Sequence, residues 1–170
     1  MSMIFSVSRQ RLQVGSTMIE TLVALLILAV GLLSVQAMQL TSLRTNTSSY
    51  LRTEAQLLAE DMTDRILAYD DITDPGDNNH YDGIDTDAAA ANPGCAGGGC
   101  SKGQQRGLDQ FEWKEQVEAR LPGGRGTVDV VVGAYLLTIM WDNDKTGANG
   151  TGCSGNTDVD LTCYSVQINL

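Results

Sequence analysis

The chain has 170 residues, 42% of them hydrophobic, and a formal charge of −10, which suits one modest globular domain. Acidity without any cluster of Lys and Arg excludes a general phosphate-backbone binder, so no nucleic-acid partner is expected, and it offers no attraction to anionic lipid. The apolar residues crowd into 22–43, leaving a polar, glycine-rich remainder that must build its core from a few segments.

Residues 1–15 mix polar and apolar types, include Arg9 and Arg11, and lack both a long apolar stretch and a small-x-small cleavage site. They do not form an ordinary secretory signal peptide. Residues 21–43 then pass without a charge, which exceeds the roughly 20 helical residues that cross a hydrocarbon layer. Arg9 and Arg11 on the near flank orient such a span with its amino terminus in the cytoplasm. Glu20 lies at the edge of the span, where an ionisable group is costly unless paired and so marks a functional position. It also has a purely local reading, because Thr17-Met18-Ile19-Glu20 has the T-x-x-E spacing of a capping box that needs no partner chain.

Gly15-Ser16-Thr17-Met18-Ile19-Glu20, followed by Thr21-Leu22-Val23-Ala24-Leu25-Leu26-Ile27-Leu28-Ala29-Val30-Gly31, resembles the class III signal of type IV prepilins and pseudopilins. The resemblance implies a leader at 1–15, cleavage by a membrane prepilin peptidase between Gly15 and Ser16, and N-methylation of Ser16. Glu20 falls at the fifth position after that cut, where the family places its glutamate. The spacing is physically sensible, since Ser16 and Glu20 share a helix face and the new amine and the carboxylate can neutralise one another. In a filament Glu20 can instead meet the amine of a neighbouring subunit, and either pairing lowers the cost of burying both charges. Many family members carry a basic residue before the glycine and Phe after the cut, where this chain has Val14 and Ser16.

No proline interrupts 1–74, so one helix is expected from Ser16 to near Tyr69, on the order of 80 Å long. Its first half, 16–44, is the membrane and filament-core segment; the second belongs to a globular domain spanning 45–170. Leu51, Ala55, Leu58, Met62, Ile66 and Tyr69 recur at three- and four-residue steps and predict the face that packs on that domain, with Arg65 off the stripe. Residues 45–49, Thr-Asn-Thr-Ser-Ser, read as a weak point between the halves.

Residues 70–108 lack helical or strand periodicity and read as one long surface loop. Asp70, Asp71, Asp74, Asp77, Asp82, Asp85 and Asp87 within it read first as a solvated face, with calcium binding as the alternative. The four cysteines fall into close pairs, and joining Cys95 to Cys100 and Cys153 to Cys163 is the simplest arrangement, although crossed pairings also fit. Disulfides imply an oxidising compartment. A zinc site would want CxxC spacing or nearby histidines, and the single histidine is His80.

Trp113, Val117 and Leu121 predict a short helix over 111–121, stopped by Pro122-Gly123-Gly124. Residues 127–132 and 134–141 are rich in β-branched and aromatic types about Gly133 and predict an antiparallel pair. Asp142-Asn143-Asp144-Lys145-Thr146-Gly147 begins like an EF-hand loop but has Cys153 where the bidentate Glu belongs, so it reads as a turn. Tyr164, Val166, Ile168 and Leu170 alternate with polar residues and predict a last strand with one buried face.

The expected class is therefore α+β, a long amino-terminal helix packed on a small antiparallel sheet with disulfide-pinned loops, which is the pilin-like layout. Trp113 to Trp141, including Leu121-Pro122-Gly123-Gly124, is similar to PilV-type minor pilins, although both tryptophans also serve as ordinary core aromatics. That likeness implies a minor pilin, anchored by one pass in the inner membrane with a periplasmic domain, then moved into a pilus. Its partners would be prepilin peptidase, other minor pilins, the major pilin and a tip adhesin. A type II secretion pseudopilin, or a membrane-anchored calcium-binding or adhesive module, are the alternatives. No cofactor and no enzymatic activity are expected, since neither a G-x-S-x-G, a P-loop nor a carboxylate pair with a cleft is present.

Overall fold

A computed structural model describes residues 17–69, 80–88 and 91–169. Its elements in chain order are α1 (Met18–Tyr69), β1 (Ile84–Asp85), α2 (Lys102–Arg120), β2 (Arg125–Val131), β3 (Ala134–Trp141) and β4 (Thr162–Asn169). The chain divides into two compact units, with the boundary between Arg44 and Thr45. α-Helical structure continues through 45–49, so the polar stretch expected to weaken the helix does not end it. Ser and Thr hydroxyls cost a helix little when they bond back to its own carbonyls, as the Thr53 hydroxyl does to the Ser49 carbonyl at 3.0 Å.

The second unit is α+β. Its four strands form one antiparallel sheet in the order β1-β2-β3-β4, with Val128 opposite Leu137, Ile84 opposite Val128 and Ile168 opposite Tyr135. The period-2 pattern of β3 sends Tyr135, Leu137, Ile139 and Trp141 into the core. There they meet Leu51, Ala55, Leu58, Met62 and Ile66 from α1, all buried. The expected stripe is thus the packed face, with Ala59 added to it and Tyr69 only partly buried at its end.

Two expectations are corrected. The span 70–108 is not a single loop, because β1 pairs with β2 at 84–85 and α2 already begins at Lys102. For the same reason the helix expected over 111–121 is 19 residues long and starts well before Phe111. The helix start is set by Ser101, whose backbone N–H donates to the Gln104 side chain at 3.0 Å, one half of a capping box. The S-x-x-Q spacing was visible in the sequence, but Gly103 and Gly107 lower the helix propensity of the first turns.

Trp113 joins the layers. It is fully buried, and its indole N–H donates to the Leu58 carbonyl of α1 at 3.0 Å. The ring lies against Gly126 of β2, where an added Cβ would sit 2.3 Å from its Cη2 atom. Gly126 is thus held by close approach rather than by backbone freedom.

A polar cluster lies beside this core. Arg65 pairs with Asp61 at 3.0 Å along α1, and with Asp109 at 3.0 Å and Glu112 at 2.8 Å on α2. The Asp109 side chain is 5% exposed and also accepts from Gln105 at 3.0 Å and from the Tyr81 hydroxyl at 2.7 Å. Both oxygens of this buried carboxylate have a donor, which is the condition for burying it without large cost. Burial pulls the Arg65 guanidinium down, but Glu112, Asp61 and Asp109 outweigh it and raise the group above its ordinary value. Burial raises the Tyr81 hydroxyl well above its usual 10.0, and the bond to Asp109 raises it further.

The two disulfides are Cys95–Cys100 and Cys153–Cys163. The first closes a turn in which Gly98 N–H donates to the Cys95 carbonyl at 3.1 Å. The second ties the 150–160 loop to the start of β4. Within that loop Asp160 takes backbone N–H groups from Ser154 at 3.2 Å and Gly152 at 3.4 Å, and hydrogen bonding from Ser154 is the main influence that lowers its pKa.

Two outcomes test these packing and charge arguments. Gly126→Ala should destabilise the protein by about 1–3 kcal/mol through overpacking against Trp113, read as a shift in the urea midpoint without a change in slope. Because the Tyr81 proton is held more tightly in the folded state, its contribution is complete below pH 10 and declines as pH rises above it. Urea unfolding of wild type and Tyr81→Phe across that range should show the alkaline decline reduced in the variant, which at neutral pH is itself weaker by about 1–3 kcal/mol.

Candidate membrane and assembly segment

The first turn of α1 opens on Thr17, whose carbonyl accepts the backbone N–H groups of Glu20 at 2.9 Å and Thr21 at 3.4 Å. Glu20 is the acidic residue of that turn, where the partial positive charge of the helix end favours a carboxylate. Gly15 and Ser16, the expected cleavage and methylation positions, lie outside the described residues, and with them the amine half of the expected Ser16 and Glu20 charge pair.

From Met18 to Leu43 the large apolar side chains are 51–88% exposed. Leu25, Leu26, Ile27 and Leu28 follow one another directly, so the apolar surface covers the whole circumference rather than one stripe. A helix apolar all round belongs inside a large core or in a membrane. Among the described residues α1 is the one helix long and apolar enough to cross a bilayer. Three of its hydroxyls bond back within the helix: Thr21 donates to the Met18 carbonyl at 2.8 Å, Ser34 to Val30 at 2.9 Å and Thr41 to Ala37 at 3.1 Å. That is what a hydrocarbon environment demands, because no water is there to take an unpaired hydroxyl.

Elsewhere the described acidic groups among those singled out in the sequence are engaged with the protein itself. Asp82 accepts from Val130 N–H at 2.8 Å, Asp85 from Asp87 N–H at 2.8 Å, and Asp87 pairs with Arg125. Asp70, Asp71, Asp74 and Asp77 lie outside the described residues. Asp142 accepts the N–H groups of Thr146 at 3.1 Å and Gly147 at 2.8 Å, so the EF-hand-like stretch is a turn closed by its own first residue. His80 stacks on Tyr69 with ring centroids 5.2 Å apart and meets Tyr81 edge-on.

The polar cluster around Asp109 was not expected. Arg65 is expected off the apolar stripe, and there it faces carboxylates of α2. The available signal was the i, i+4 pair of Asp61 and Arg65 together with Asp109 and Glu112 one turn apart.

Comparison of the chain with protein-family models, curated proteins and solved structures finds no match. The exposed apolar surface makes its own prediction. Leu26→Arg with Leu33→Arg, each costing about 2.5–3.5 kcal/mol near a bilayer centre, should release the chain from carbonate-washed membranes. Retention at the wild-type level would show that 18–43 does not span the bilayer.

Proposed function

We propose that this chain is a filament subunit of the type IV pilin class, made as a prepilin, cut after Gly15, N-methylated on Ser16 and held in the inner membrane with its domain in the periplasm. The observation that carries the reading is a juxtaposition. Gly15-Ser16-Thr17-Met18-Ile19-Glu20 stands directly ahead of an apolar helix exposed around its whole circumference, while residues beyond 45 close a core of their own. Such a helix has two successive environments of the same polarity, the bilayer and a bundle of identical helices, so it transfers between them at little solvation cost.

Glu20 is the residue that gives the transfer direction. Inside the bundle its carboxylate and a terminal amine, its own or a neighbour's, cancel two charges that would each be expensive alone. The domain supplies contacts to other subunits, and its likeness over Trp113 to Trp141 to PilV-type minor pilins favours a low-copy subunit that helps nucleate assembly and supports a tip adhesin.

Intact mass or Edman analysis of the cellular protein should show a methylated Ser16 terminus. A Met1 terminus in cells with active prepilin peptidase sinks the reading. Glu20→Ala should leave the membrane level near that of wild type and lower piliation on the order of tenfold or more, since breaking a buried pair costs about 3–5 kcal/mol. Unchanged piliation would leave Glu20 only its role at the helix start.

A further inference from the structure

The sheet has two unlike edges. β1 is two residues long, too short to template another strand, whereas β4 runs eight residues. Natural sheets guard long edges with charge, proline or bulges. Thr162-Cys163-Tyr164-Ser165-Val166-Gln167-Ile168-Asn169 has no charged residue and no proline, and it pairs with β3 residue for residue without a bulge. On its other side β4 makes no backbone hydrogen bond to any described residue.

Beside this edge the core is open. A groove of about 310 Å³ runs between β4 and the α1 residues of the same unit. Its floor is Ala59, Tyr164, Val166 and Ile168; Tyr164 and Val166 pack on the core yet remain only partly buried. Its α1 wall carries Glu60 and Asp64, four residues apart and therefore neighbours on the helix surface. Both are exposed, and neither forms an ion pair with a described residue.

We propose that β4 and this groove form a docking site for an extended, cationic segment of another protein, which adds to the sheet as a fifth strand. Strand addition takes its affinity from main-chain hydrogen bonds and its specificity from pockets for alternate side chains. Here the inward-facing positions of the incoming strand are apolar residues or Lys and Arg. Their aliphatic stems cover Tyr164 and Val166 while their charged heads reach Glu60 and Asp64. Charge also decides against a second copy of this chain as the occupant, because pairing two β4 edges brings two sets of Glu60 and Asp64 to one seam. The surface belongs to the domain alone, so it exists whether or not the chain enters a filament.

The test uses the full chain in detergent micelles and two synthetic peptides. In one, threonine alternates with valine and lysine; in the other, aspartate replaces lysine. Residue-resolved amide exchange should slow at alternate residues of β4 when the lysine peptide is added, and that peptide should bind at least tenfold more tightly than the aspartate peptide. Glu60→Lys with Asp64→Lys, both on an exposed helix face, should reverse the preference. If that variant loses its circular dichroism, suppression of the lysine-peptide affinity by salt in the wild type provides the same readout. No slowing with the lysine peptide, or equal binding of both peptides, overturns the proposal. So does protection of β4 that grows with protein concentration in the absence of peptide, which would mean that a second copy occupies the edge.

Discussion

The domain depends on one buried indole. Trp113 touches all three of its layers: it belongs to α2, donates its N–H to a carbonyl of α1, and lies against the glycine of β2. The Leu58 carbonyl is inside a helix, where it already accepts an intrahelical bond, and the second lone pair is what the indole uses. Neither partner is left unsatisfied, and the ring brings a large apolar surface out of water at the same point. The position of α2 against the sheet follows from how close that ring can come, which only a residue without a Cβ at 126 permits.

Around this centre, charge does what packing alone does not. Apolar contacts are non-directional, so a stripe of Leu, Ala, Met and Ile permits α1 to slide or rotate against its neighbours. The Arg65 guanidinium, forked between Asp61, Asp109 and Glu112, fixes the register of α1 against α2, and the Tyr81 hydroxyl on Asp109 brings in the chain just ahead of β1. A buried charged cluster adds little net stability compared with apolar residues of the same shape, and its usual benefit is geometric definition. The Cys153–Cys163 bridge acts similarly at the other end of the sheet, holding an irregular, glycine-rich loop that has few apolar side chains of its own.

The chain thus treats hydrophobicity in two ways. Beyond residue 45 it is arranged by period, 3.6 on α1 and 2 on the strands, and is consumed within the domain. Between residues 18 and 43 it is continuous along the helix and exposed among the described residues, with the Thr21, Ser34 and Thr41 hydroxyls folded back onto helix carbonyls. Such a surface matches surroundings as apolar as the helix, a bilayer among them.

The sequence by itself determined whatever rests on local pattern. The apolar span follows from an unbroken uncharged run, and the stripe from Leu51 to Ile66, strand β3 and the alternation of β4 follow from periodicity; both are properties of neighbours along the chain, and the structure has them where the pattern puts them. The glycines at 103 and 107 hid the start of α2, and two residues are too few for β1 to show any period. Only the tertiary structure decided which polar residues meet. Arg65 and Asp109, Tyr81 and Asp109, and Trp113 and Leu58 are far apart in the chain, and nothing in local composition distinguishes a charge that faces water from one that faces a carboxylate on another helix. The open edge of β4 is of the same kind, since a strand's pattern shows which face is buried but not whether a neighbour lies at its side.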